Sequence, residues 1–452
     1  MEELVIRADA GGKVGTGHVM RMMALAQAYQ RLGGEVVMVS AMCPSSLENR
    51  IRSEGIQCIR VENKEKGSVE DALETIKIAQ SKNAKWVVTD GYHFGIDYQK
   101  QIKESGLSLL CVDDFEYCEN WYCDSLLNLN LDAEIKYDYK VSVENPMLFL
   151  GSSYCMLRKE FFEKHSAPKE WKKVERLLIT LGGSDPDNAT LSVLQIIDKI
   201  CPHRLKVKIL IGADNLHESV LRSYNSQHTI ECHVNCAEMP KMLDWADGVI
   251  SAGGGTCWEW LNAGLPGAIV TIAENQLPVV QALCVQRSAA VSLGWYDQLT
   301  AIPQKSEEDL AKWFEAPGAV LDNECASQIV DGLGPHRVAS YLSGRDLIAR
   351  QARWSDRDDY FKWVNDLAVR KNALKSEKIE KEGHYKWFKS RLASKDTILY
   401  VIENLSGKSV GQVRFEKDNE GNWLIDYSVH TDCRGQGLAS KILNVATKAL
   451  IS

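Results

Sequence analysis

"LVIRADAGGKVGTGHVMRMMALAQAYQRLGG", residues 4–34, opens on an apolar run, passes through a glycine-rich turn and continues as a helical stretch closed by Gly33 and Gly34. A short run that is apolar throughout suits a buried strand, and a glycine turn leaves backbone amides exposed where the helix begins. His18 stands at the mouth of that turn, directly after Gly15 and Gly17. Turns of this build hold anions, and an imidazole placed there exchanges protons near neutral pH.

The same alternation continues outward. "EVVMVSA", "QCIRVE", "KWVVTD" and "LSLLCVDD" read as strands, with "SSLENRIRSEG", "VEDALETIKIAQSKN" and "IDYQKQIKESG" as helices between them. Strand alternating with helix at this length predicts a doubly wound parallel sheet, whose ligand lies beyond the carboxyl ends of the strands. Asp9, Gly15 to His18, Asp90 to His93, Asp113 and Asp114 all fall there. The theme repeats from about residue 172: "VERLLITLGGSDPDNATLSVLQII" and "GVISAGGGTCWEWLNAG" are each strand, glycine turn and helix. From about residue 345 the character changes. "SDRDDYFKWVNDLAVRKN" and "GHYKWFKSRLAS" read as helices, "TILYVIEN", "SVGQVRFEK" and "NWLIDYSVH" as antiparallel strands, and "CRGQGLA" as a glycine turn before a last helix. The expected architecture is α/β, with domains at 1–155, 156–342 and 343–452, the last of them α+β.

At 452 residues the chain exceeds one ordinary core, and its 45% hydrophobic and 25% charged residues suit a soluble enzyme. A net charge of −8 excludes a protein living on phosphate attraction, so no nucleic-acid partner is expected. No signal peptide or membrane-inserting segment is legible, and a cytoplasmic location follows. Thirteen cysteines lie scattered as reduced thiols. "HTIECHVNC" brings His228, Cys232, His233 and Cys236 close, but a strand there points Cys232 and His233 to opposite faces, so no metal site is expected.

Two turns of the second segment suit phosphate: Gly182, Gly183 and Ser184 in "GGSDPDN", and Gly254, Gly255 and Thr256 in "AGGGT". Neither is a P-loop, because no Gly-Lys-Ser/Thr follows. Glu259, one turn into the second helix, is placed to accept hydrogen bonds from a ribose, or simply to favour the helix start.

"IRADAGGKVGTGHVMR", "VVTDGYHF", "CVDD…CDSLLNLN", "LGSSYCMLRKEF", "TLGGSDPDNAT" and "ISAGGGTCWEWLNAGLP" resemble, in order over about the first 340 residues, the UDP-sugar hydrolases of pseudaminic acid synthesis. The resemblance implies two Rossmann-like domains in GT-B arrangement and inverting hydrolysis of UDP-2,4-diacetamido-2,4,6-trideoxy-β-L-altropyranose at the anomeric carbon. It implies His18 as the base acting on water, with Tyr92 and Asn275 beside it. Arg7, Asp9, Gly15, Gly17, Arg21, Asp90 and Gln276 would meet the sugar, and Glu259 the ribose. No cofactor or metal is implied for this reaction. Gly91 stands between Asp90 and Tyr92 where some relatives carry a histidine, and His93 follows instead.

The third segment resembles GNAT N-acetyltransferases through "CRGQGLA", with Arg434, Gly435, Gly437 and Ala439 implied in holding acetyl-CoA. The sequence stops one helix after this motif, so a partial GNAT-like domain is expected. His384 and Trp387 are substrate-contact candidates, against plain packing on an amphipathic helix. The alternatives are a GT-B glycosyltransferase using the same UDP site, and a non-catalytic nucleotide-sugar-binding protein.

Overall fold

The computed structural model describes residues 3–11, 15–62, 64–162, 170–183, 185–212, 215–236, 238–372, 376–418 and 420–451. They form two compact units, residues 1–30 with 34–335 and residues 31–33 with 336–452.

The first unit holds two parallel sheets. The first has seven strands in the order β3-β2-β1-β4-β5-β6-β7. These are β1 (Glu3–Ala8), β2 (Glu35–Ser40), β3 (Gln57–Arg60), β4 (Trp86–Asp90), β5 (Ser108–Val112), β6 (Ser125–Asn128) and β7 (Met147–Leu150). Nearly every residue of β1, β4 and β5 is buried, as a sheet covered by helices on both faces requires. The strand order reverses between β1 and β4. Their register sets Ala8 against Asp90, and Asp90 against Val112 of β5, so Asp9, Asp90 and Asp113 emerge side by side. The short strands β6 and β7 widen the sheet beyond what the alternation of the sequence suggested; four residues each are too few for periodicity to declare itself.

The second sheet has six strands in the order β10-β9-β8-β11-β12-β13. They are β8 (Arg176–Thr180), β9 (Lys206–Ile211), β10 (Thr229–Val234), β11 (Gly248–Ala252), β12 (Gly267–Thr271) and β13 (Ala290–Trp295). Here the order reverses between β8 and β11, and both glycine turns open at that reversal, where parallel sheets bind their ligands.

The second unit carries an antiparallel sheet, β14-β15-β16-β17, comprising β14 (Leu347–Gln351), β15 (Thr397–Asn404), β16 (Ser409–Lys417) and β17 (Trp423–Val429). The helix Leu438–Ile451 packs Ile442 and Ala446 onto this sheet. The single helix expected over "SDRDDYFKWVNDLAVRKN" is two, Arg357–Val364 and Leu367–Asn372. Asn365 bonds Ile379 through both its amide nitrogen and its oxygen, and the Asp366 carboxylate accepts from the amides of Ala368 and Val369. Those side-chain bonds replace the helical ladder and restart it.

Candidate functional site

The glycine turn after β1 delivers His18 into the first turn of the helix Gly17–Arg31. Gly15 has φ +71°, a conformation that side chains with a Cβ rarely adopt, and the Gly11 amide closes back on its carbonyl at 2.8 Å. His18 is buried except for a small opening, and its Nδ1 lies 2.6 Å from Asp90 Oδ1. Arg21 Nη2 also lies 3.1 Å from Nδ1, but the Asp90 contact is the shorter, and an ionised carboxylate only accepts, so Nδ1 carries the proton and the lone pair sits on Nε2. Among the described residues nothing bonds Nε2.

Asp90, fully buried at the end of β4, takes two further bonds of 2.6 Å from Arg21 Nε and Nη2. Arg21 in turn bonds Asp114 at 2.7 and 3.1 Å, and Tyr92 donates its hydroxyl to Asp114 at 2.7 Å. The Tyr92 ring stands edge-on to His18 with centroids 5.0 Å apart. Burial and the neighbouring Asp114 push the Tyr92 hydroxyl far above its ordinary range, so it keeps its proton. Arg21, expected at the sugar, is clamped between two carboxylates and, through Asp90, helps hold the His18 ring. Asp114 was visible in the sequence only as a strand-end residue; its position between Tyr92 and Arg21 shows its part.

Although burial opposes it, Arg21 and His18 hold Asp90 ionised with a pKa of about 2 against an ordinary 3.8. A depressed folded-state value adds stability above the ordinary value and loses it as pH falls through the folded one. About 2 kcal/mol is therefore expected to disappear between roughly pH 4 and pH 2. Melting temperatures across that range check this: Asp90→Asn should flatten that part of the acid dependence.

Arg7 and Asp9 are bonded within the fold. Arg7 is wholly buried, bonded to Asp71 at 3.1 and 3.0 Å, paired with Asp9 at 2.9 Å and set over the Phe94 ring. Asp9 accepts from Ser40 Oγ and the amides of Ala41 and Met42, and His93 Nε2 lies 3.3 Å from its other oxygen. These donors hold Asp9 far below the usual carboxylate range. Asp9 thus ties the end of β1 to the end of β2, and Arg7 ties β1 to the helix Val69–Ser81 that carries Asp71. The two histidines are thereby distinguished: His18 has a buried carboxylate orienting it, whereas His93 adds to an aspartate already committed.

At the second sheet the two glycine turns diverge. After β8, where Gly182 (φ +100°) and Gly183 open the loop and Ser184 lies outside the described residues, Asp185 accepts from the amides of Ala189 and Thr190 and from Thr190 Oγ1. Its carboxylate therefore occupies the start of the helix Ala189–Ile200, the place expected for phosphate. Asp185→Ala should cost about 1 kcal/mol, read from the denaturation midpoint, if this is a cap. After β11 no described residue accepts from the amides of Gly254, Gly255 or Thr256, and a Cβ on Gly254 or Gly255 would meet open space. Gln276 is not free for a sugar, because its Oε1 accepts from the amides of Gly253 and Ile272 and shapes this turn. Asn275 is exposed on the adjoining turn Glu274–Gln276. Glu259, in the helix Thr256–Asn262, faces Arg158 at 3.1 Å. Arg158 comes from the segment "LGSSYCMLRKEF", which gave no charge pattern to mark it.

Among the described residues no three His, Cys, Asp or Glu side chains are grouped to hold a metal ion. His228 is buried and accepts from the Leu205 amide, while Cys232 and His233 lie on β10. No helix of the described residues is long and apolar enough to cross a membrane.

In the second unit, Gly435 (φ +79°) and Gly437 (φ +69°) form the turn before the helix Leu438–Ile451, which contains Ala439. Arg434 is not free: it pairs with Asp366 at 2.8 Å and donates to the Val429 carbonyl, so it braces the turn. His384 is buried among Phe361, Trp387 and Phe388, and among the described residues neither ring nitrogen has a hydrogen-bond partner.

The first unit is similar in structure to MurG of Acinetobacter baumannii, with a TM-score of 0.52 at 15% identity, over 76% of this chain and all of that one. The two parallel sheets make a GT-B fold. Within it, residues 177–305 match the family model of the glycosyltransferase family 28 C-terminal domain, and beyond it residues 346–451 match that of the acetyltransferase (GNAT) domain. The GT-B part is 27% identical over 251 residues to the UDP-2,4-diacetamido-2,4,6-trideoxy-beta-L-altropyranose hydrolase of Campylobacter jejuni, covering 55% of this chain and 84% of that protein. It is 25% identical over 293 residues to the spore coat polysaccharide biosynthesis protein SpsG of Bacillus subtilis, covering 64% and 83%. An uncharacterized protein of Methanocaldococcus jannaschii, MJ1062, is 25% identical over 441 residues, covering 93% and 84%. The chain is thus similar to UDP-sugar hydrolases of GT-B build, with a GNAT domain attached.

Proposed function

We propose that the GT-B part hydrolyses a UDP-sugar of the 2,4-diacetamido-2,4,6-trideoxy-β-L-altropyranose type at its anomeric carbon, releasing UDP and the free sugar. The observation that carries this reading is the His18–Asp90 pair: an imidazole with its Nδ1 proton held by a buried carboxylate and its Nε2 unbonded. His18 Nε2 takes a proton from water as the water oxygen bonds the anomeric carbon, and the bond from that carbon to the UDP oxygen breaks, its electron pair leaving with UDP. Asp90 stabilises the imidazolium, which later returns its proton to solvent. Attack from the face opposite the leaving group inverts the anomeric centre. The free amides of Gly254, Gly255 and Thr256 suit the diphosphate, and Glu259 the ribose. In this reading Tyr92 forms a wall of the sugar pocket, and Asn275, exposed on its turn, meets sugar or water.

The GNAT domain takes acetyl-CoA in this reading, with the amides of the Gly435–Gly437 turn on its pyrophosphate and an amino group of a sugar as acceptor. Supply of the nucleotide sugar directly tests the main claim: UDP should appear without any added acceptor. UDP release only when an acceptor sugar is present would favour a glycosyltransferase, the reading to which the family 28 match also lends support.

A further inference from the structure

Glu259 does not stand alone at the helix start. Arg158 Nη2 lies 3.1 Å from Glu259 Oε1, while Arg158 Nε bonds Glu160 Oε1 at 2.7 Å and the guanidinium sits 5.0 Å from the Phe161 ring centroid. Arg50, on the helix Ser45–Ser53 of the first sheet, reaches the same Glu160 oxygen at 3.1 Å. The side chains of Arg158 and Glu259 are 11% and 13% exposed, so little water screens their pairing. No described residue bonds Glu259 Oε2.

We propose that Arg158 is a positioning residue of the nucleotide site: it fixes the Glu259 carboxylate through Oε1 and leaves Oε2 to accept from the two ribose hydroxyls. This rests on the UDP-binding reading of the glycine turn after β11. A ribose diol offers donors, so it needs a carboxylate in its ionised form and in one orientation. Burial works against that form and raises the Glu259 pKa, with Glu160 adding to the rise and Arg158 and Arg50 opposing it. Arg158 is the cation in direct contact, and it is itself held by Glu160 and Phe161, so its place is set before nucleotide arrives. The segment Arg158–Glu160 joins the two sheets in sequence, and through Arg50 the first sheet also bears on the ribose site.

Calorimetric titration with UDP and with 2′,3′-dideoxy-UDP tests the assignment on the full chain. Wild type should prefer UDP by about tenfold or more, as expected for a lost charge-assisted hydrogen bond. Arg158→Gln should lose most of this preference, Glu259→Gln should lose it likewise, and the double variant should be no worse than either. Arg158→Lys keeps a cation and should retain part of it. In Arg158→Gln the preference should recover with rising pH more steeply than in wild type, because burial raises the Glu259 pKa and Arg158 no longer opposes it. A general loss of fold would weaken both ligands equally. If the preference survives in Arg158→Gln at every pH, or both affinities fall together with the ratio unchanged, the assignment is wrong. Failure of wild type to bind UDP at all would overturn the nucleotide site itself, and the role of Arg158 with it.

Discussion

Replacing His18 with alanine is expected to slow UDP release by about 100- to 10,000-fold, the range a positioned general base contributes, while leaving the affinity for UDP unchanged. The geometry separates the two readouts. His18 lies at the end of the first sheet with its ring against Tyr92 and Asp90, whereas the free amides and Glu259 belong to the second sheet. A variant that loses rate and affinity together would place His18 in binding and not in proton transfer. Asp90→Asn is the companion test. An amide in place of the carboxylate no longer fixes the Nδ1 proton and leaves Arg21 with one carboxylate partner, Asp114, so the rate should fall with the imidazole still present.

The second large effect is on stability. Arg7→Leu leaves Asp9 and Asp71 buried without their cation, and removing one partner of a buried ion pair costs about 3–5 kcal/mol. Asp71 would keep the Gly67 amide and Asp9 the amides of Ala41 and Met42, so the loss is that of the guanidinium bridging them. Denaturant unfolding followed by a probe in the first sheet should show the midpoint shifted, and Arg7→Lys should recover little, because one ammonium cannot span both carboxylates. Had Arg7 been a sugar contact, the substitution would raise KM and leave stability nearly intact.

The contrast between His18 and Arg7 shows what the chain reveals of itself before folding. Long apolar runs punctuated by glycine declared both parallel sheets. The position of His18 in the first turn of its helix was legible, because the glycine turn marks where that helix begins. The ion pairs of Arg7 and Asp9 were not legible, because a strand end alone does not say what its side chains bond; that depends on Asp71 and Ser40, which the sequence sets 64 and 31 residues away. The bonds of Asp185 and Gln276 were hidden for a related reason: a polar side chain beside a glycine turn serves the turn's own amides as readily as a ligand. Arg158 went unnoticed because its partner Glu259 is remote in sequence, and pairing at that range leaves no local pattern. The Asn365–Asp366 helix break was equally hidden, since it depends on Ile379 closing on Asn365.

Hydrolysis in water enriched with oxygen-18, with the products followed by mass spectrometry and by NMR in the first moments of reaction, tests the central claim most directly. Attack on the anomeric carbon by water under His18 predicts the label in the free sugar, none in UDP, and an initial anomer opposite in configuration to the substrate. Label in UDP, or a first-formed sugar of retained configuration, would contradict it.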